Sequence, residues 1–149
     1  MRHQFLVLIP CALAIACAKK ETPAADSTTA MAAAPAALTD AQVAGTWAGS
    51  SKLAGTDSVL FHWTQVCGSG ACTGTTTEMP KDTMHATYRL EGDSAIGVST
   101  AMAMPPVGKV VDNWVVRPSG STVTGHGWFV LADKPDSVVM RYTIDGARK

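Results

Sequence analysis

Cys67 and Cys72 stand five positions apart around four small residues in TQVCGSGACTG, residues 64–74. Thiols at that spacing could clip a metal, cycle between redox states or staple the chain. Zinc pairs are usually closer and need a second pair of ligands, which the sequence does not supply. Neither the C-x-x-C of thiol oxidoreductases nor the C-x-x-C-H of haem attachment occurs. His62, His85 and His126 are three imidazoles that would have to converge to hold zinc. Met79, Met84, Met102 and Met104 offer soft thioethers and deformable apolar surface, suited to Cu(I) or to an apolar contact. No G-x-S-x-G elbow, phosphate loop or paired-carboxylate motif is present. The sequence therefore predicts no enzyme, no catalytic residue, no cofactor and no resident metal.

These residues are positioned by a pattern that is β throughout. Thr39-Asp40-Ala41-Gln42 has the spacing of a capping box, but Gly45 follows too soon for more than a single helical turn. Period-two segments bounded by turn residues then predict eight strands, near 45–53, 58–67, 72–78, 84–91, 94–102, 109–117, 122–131 and 137–145. Met84, Ala86, Tyr88 and Leu90 alternate with His85, Thr87 and Arg89; Met140, Tyr142 and Ile144 alternate with Arg141 and Thr143. Even spacing predicts an all-β, antiparallel up-and-down meander of about eight strands, as a barrel or a sandwich. If Phe61, Trp63, Met84, Tyr88 and Phe129 face inward, the three histidines face outward and do not converge. Asp112, in VVDNWVV, is expected to face solvent, because an inward carboxylate would need a partner such as Arg or Lys.

Simple succession places alternate connections at opposite ends. Three are tight: residues 68–71, 92–93 and 118–121. At the other end, 79–83, 103–108 and 132–136 are longer and carry proline. Cys67 and Cys72 then face each other across a hairpin at the tight end, with the separation a disulfide needs. Binding surfaces favour the elaborate end, where Met79, Met84, Met102, Met104, Pro105 and Pro106 lie. Met102-Ala103-Met104 resembles the M-x-M of small periplasmic copper carriers, without the neighbouring His and Trp order of those proteins.

The N-terminus, MRHQFLVLIPCALAIAC, sets one Arg before an apolar run too short to span a bilayer comfortably, the order of an export signal. Ala14-Ile15-Ala16-Cys17 resembles the lipobox of bacterial lipoproteins, which implies removal of residues 1–16 and diacylation of Cys17. Two or three acyl chains suffice for stable membrane attachment. Ala18 is not an Asp retention signal, so the resemblance implies the outer membrane, facing periplasm or cell surface, and an oxidising compartment for the cysteine pair. Residues 17–38 are rich in Ala, Thr and Pro and read as a flexible tether with a reach of roughly 25 Å. The domain is expected over 39–149.

Gly45-Thr46-Trp47, after a helical turn and opening the first strand, resembles the G-x-W signature of lipocalins and their calycin relatives. That resemblance implies that Trp47 closes one end of the barrel and that an Arg late in the last strand packs over it. Arg148 shares the parity of Met140, Tyr142 and Ile144 and so takes that place. Gly45-Thr46-Trp47 is also similar to the G-T-W-x-G opening of many small bacterial lipoproteins, a likeness that implies no function.

Twelve Lys and Arg balance twelve Asp and Glu, and no basic cluster follows Lys19-Lys20, which excludes a nucleic-acid partner on electrostatic grounds. The expected function is a lipid-anchored, non-catalytic envelope module that binds a small apolar ligand or a protein partner at its loop end. The alternatives are an accessory or structural subunit docking on a membrane protein, and a periplasmic copper carrier.

Overall fold

The computed structural model describes residues 37–149. The expected signal 1–16, Cys17 and most of the tether lie outside the described residues. A helical turn, α1 (Asp40–Val43), precedes nine strands: β1 (Gly45–Leu53), β2 (Val59–Gly68), β3 (Ala71–Thr76), β4 (Met84–Glu91), β5 (Ser94–Ser99), β6 (Met102–Met104), β7 (Gly108–Ser119), β8 (Thr122–Leu131) and β9 (Lys134–Arg148). The capping box holds α1 at its start, the Thr39 N–H donating to Gln42 Oε1 at 2.9 Å.

All pairings are antiparallel. β1 to β5 pair in succession, β5 pairs with β7, β7 with β8, β8 with β9, and β9 returns to β1. The result is a closed eight-stranded up-and-down barrel of the lipocalin-like kind, with β6 as an additional short strand. Closure pairs most of the edges that a sandwich would have to protect.

Three expectations need correction. The connection expected over 132–136 is a two-residue turn, because β9 begins at Lys134, which pairs with Leu131. The fifth strand ends at Ser99, and Met102 belongs to β6. β7 is twelve residues long whereas β5 has six, so β7 reaches past β5 at the loop end. Residues 102–104 fold back on Gly108–Val110 and supply hydrogen-bond partners that β5 cannot. Asp112 is also reversed from its expected orientation: it is buried, 9% exposed. Val110, Asp112 and Trp114 share one parity and are all buried, while Val111, Asn113 and Val115 on the other face are only half-buried. The indole of Trp114 fixes which face of β7 turns inward, and Asp112 follows it.

The core is aromatic. Trp47, Trp63, Tyr88, Trp114, Phe129 and Tyr142 are all buried. Their size is matched by glycines on neighbouring strands. A side chain at Gly97 would stand 2.0 Å from Cζ2 of Trp114, and one at Gly146 would stand 2.6 Å from Cη2 of Trp63. Bulky rings thus share a narrow barrel because the facing backbone carries no Cβ.

Candidate functional site

The tight-turn end of the barrel is shut. Val43 of α1 and Leu38 before it are buried in the core, and the Leu38 N–H donates to the Gly92 carbonyl at 2.8 Å. Trp47 Nε1 donates to the Val43 carbonyl at 2.7 Å. The Arg148 guanidinium lies 4.3 Å from the centroid of the Trp47 ring and donates to the carbonyls of Ala44 and Gln42. It therefore satisfies carbonyls at the end of α1 while stacking on the indole.

Asp40 latches the same turn to the disulfide hairpin. Its carboxylate accepts from the Ser69 amide at 3.0 Å, the Gly70 amide at 3.4 Å and the Tyr88 hydroxyl. The Tyr88 bond, with the Ser69 amide next, holds the carboxyl below the usual carboxylate range. Burial, reinforced by Asp40, pushes the Tyr88 phenol up. Ser69 has φ of 52°, a left-handed turn conformation that leaves its amide free to reach Asp40.

Cys67 and Cys72 are paired in the β2–β3 register and joined as a disulfide. The chain-entropy account of so short a loop gives about 2 kcal/mol. Reduction is expected to lower stability by that amount, read as a lower urea midpoint at unchanged m-value. Coincident midpoints for the oxidised and reduced protein would contradict it.

At the opposite end Phe61, Phe129 and Tyr142 form a cluster of edge-on and tilted rings with centroids 5.3–6.2 Å apart. Such packing narrows the interior at this end. The methionines of this end are dispersed. Met102 and Met104 on β6 are half-buried against the core, Met84 faces the interior, and the Met79 N–H donates to Thr76 Oγ1 at 3.1 Å in the β3–β4 loop. Pro105 and Pro106 are exposed. His62, His85 and His126 are exposed on the outer face. His62 Nδ1 stands 3.4 Å from a Glu78 carboxylate oxygen, and His126 stacks on Trp128 with centroids 6.1 Å apart. Among the described residues no three His, Cys, Asp or Glu side chains gather as metal ligands.

Between the two ends lies a cavity of about 60 Å³. Trp47, Trp63, Trp114 and Tyr142 contribute aromatic walls, and Ser51, Gln65 and Asp112 contribute polar groups. Tyr142 donates its hydroxyl to Asp112 Oδ1 at 2.6 Å, and the Asp112 N–H donates to Ser99 Oγ at 2.9 Å. Burial pushes the Asp112 carboxyl up to about 7 against the opposing effect of the Tyr142 bond. Burial and the adjacent carboxyl raise the Tyr142 phenol as well. Sequence reasoning missed this pair. The available signal was the shared parity of Asp112 and Trp114.

The outer rim of the loop end is apolar. Leu53 and Val59 flank the β1–β2 turn, Val107 lies in the β6–β7 turn, and Val138 and Val139 lie early in β9; all are exposed. These segments are neighbours around the rim, because β1 pairs with β9, β9 with β8 and β8 with β7. β9 also overshoots β1. Their ladder stops at Leu53 and Tyr142, and the Arg141 carbonyl still accepts from the Ala54 N–H at 3.0 Å, so the stretch 134–140 is laddered to β8 alone.

The fold thus defines a small, closed, lipocalin-like barrel whose interior keeps a cavity of about 60 Å³. Comparison with protein-family models, with curated proteins and with solved structures returns no match.

Proposed function

We propose that this chain is a lipid-anchored, non-catalytic module of the cell envelope whose barrel engages an extended segment of a partner protein at its loop end. The observation that carries the reading is the exposed apolar rim, Leu53, Val59, Val107, Val138 and Val139, beside a stretch of β9 with one open backbone edge. An open edge recruits a strand through main-chain hydrogen bonds, and alternating side chains supply selectivity. Cavity size favours a protein over the small apolar ligand of the original pair. Sites for drug-sized ligands occupy roughly 300–1,000 Å³, and the interior offers about 60 Å³. The anchor rests on the lipobox-like sequence ending at Cys17.

A photo-crosslinking residue at Val139 or Val107 is expected to give a discrete adduct in intact cells, whereas the same residue at Val66 or Leu90 is not. Val138→Lys should abolish the adduct with a stability change within about 0.5 kcal/mol, as is usual for exposed sites. Equal adducts from all four positions, or none, would sink the docking assignment. In the same cells Cys17→Ser is expected to lose acyl label and leave the membrane fraction; retention at the membrane would remove the anchor from the proposal.

A further inference from the structure

The cavity inside the barrel stands apart from the loop rim and has a composition of its own. It is walled largely by aromatic and aliphatic side chains, and the only ionisable carboxyl that lines it is Asp112. That carboxyl is more than nine-tenths buried, and Tyr142 is its one side-chain donor among the described residues. A carboxyl oxygen is therefore left to the cavity. No Lys or Arg lines the space. The nearest inward-facing cation along β9, Arg148, is engaged with Trp47 and two backbone carbonyls at the shut end.

A buried carboxylate is costly unless a charge or several donors compensate it. Trp63, Trp114 and Phe61 line the space, and aromatic rings are the side chains that attract cations through their π-systems. We infer that the barrel interior is a binding site for a small organic cation, with Asp112 as its counter-charge, the Tyr142 hydroxyl orienting the carboxylate, and the indoles of Trp63 and Trp114 as its aromatic walls. A water needs at least about 10–15 Å³ of such space, so the cavity has room for at most about four to six waters, or for a cation of about two to four heavy atoms. Methylammonium is the smallest member of that class. A long alkyl chain or a fused-ring amine is excluded by the same volume.

The site requires ionised Asp112, and the groups facing it decide its pH response. Tyr142 on β9 is held neutral by burial beside the carboxyl, Ser99 on β5 does not titrate, Cys67 on β2 is in the disulfide, and Tyr88 on β4 is bound to Asp40 at the shut end. Of the groups that line the cavity, Asp112 is the one that ionises in the neutral range. With its carboxyl pushed up to about 7, its ionised fraction rises about tenfold between pH 6 and pH 8, and the apparent affinity for the cation rises with it.

The test is a titration of the full-length, disulfide-bonded protein with methylammonium chloride at fixed ionic strength, followed through the indole N–H resonances of its tryptophans. Methanol, of the same size and uncharged, is the comparison probe. Methylammonium is expected to give saturable shifts about tenfold tighter at pH 8 than at pH 6, and none in Asp112→Asn. Methanol is expected to give none. The assignment is overturned by an absence of saturable shifts with methylammonium, by equal affinity at the two pH values, by binding that survives Asp112→Asn, or by methanol binding as well as the cation. Asp112→Asn keeps the acceptor for Tyr142 and removes a buried charge, so loss of binding in it is not loss of fold. None of these outcomes depends on the crosslinks at the rim.

Discussion

Asp112→Asn is expected to stabilise the protein at pH 8 by several kcal/mol, and to leave it nearly unchanged at pH 4. The carboxyl has an ordinary value of 3.8 and is pushed up to about 7 in the fold by burial, with only the Tyr142 hydroxyl opposing the rise. Below pH 4 it is protonated in both the folded and the unfolded chain, so its ionisation contributes nothing to stability. Between pH 4 and pH 7 the unfolded chain sheds the proton and the folded chain keeps it. The folded state then binds more protons, and stability falls as pH rises. Above pH 7 both states are ionised and the whole penalty is in place. Three units at 1.36 kcal/mol each give about 4 kcal/mol as its upper size. Asparagine retains an acceptor for Tyr142 and has nothing to ionise.

Asp40, Glu78 and Asp93 are held below the usual carboxylate range and impose the opposite slope, but they are common to both proteins and cancel in the difference. Denaturant unfolding of the two proteins at pH 4.5, 6 and 8 measures that difference directly. A gap that does not widen with pH would contradict the burial of an ionisable Asp112. The size of the penalty bears on function. A group that weakens the fold through the physiological range, when a neutral isostere of the same shape would not, is poorly explained as packing. It is better explained by a charge that the interior puts to use.

The barrel was legible because alternation survives in nearly every strand. Residues 45–53, 84–91 and 122–131 coincide with β1, β4 and β8. What failed was local ambiguity. In VVDNWVV both parities are mostly apolar, so periodicity alone cannot say which face of β7 turns in. Trp114 could have decided it, since an indole in a barrel this narrow has to be inside. Gly97, the residue that makes room for that indole, lies on β5 and becomes its neighbour only through the pairing of Gly97 with Trp114. The latch from Asp40 to residues 69 and 70 was hidden in the same way: the capping box announces a helical turn but not what the turn's first carboxylate will grip across the barrel mouth. The cavity is set by how the rings pack, which no one-dimensional pattern carries.

The dependence of that packing on a missing side chain has a measurable consequence. Gly97→Ala in the wild type is expected to cost about 1–3 kcal/mol, because the added methyl would stand 2.0–2.5 Å from three atoms of the Trp114 ring and the indole has to leave its place. Trp114→Ala is expected to cost about 3–5 kcal/mol, the usual loss for emptying a buried aromatic site. The double variant is the informative one. With the indole gone, the methyl at 97 meets no ring, and alanine in place of glycine within a strand gains about 0.5–1 kcal/mol from reduced freedom of the unfolded chain. The pair should therefore be less destabilised than Trp114→Ala alone, giving a coupling of about 1.5–4 kcal/mol from the summed single effects. Additive effects across the cycle, measured by urea unfolding at one pH, would mean that the ring and the glycine do not share space, and that the interior is not walled by Trp114 as the cation site requires.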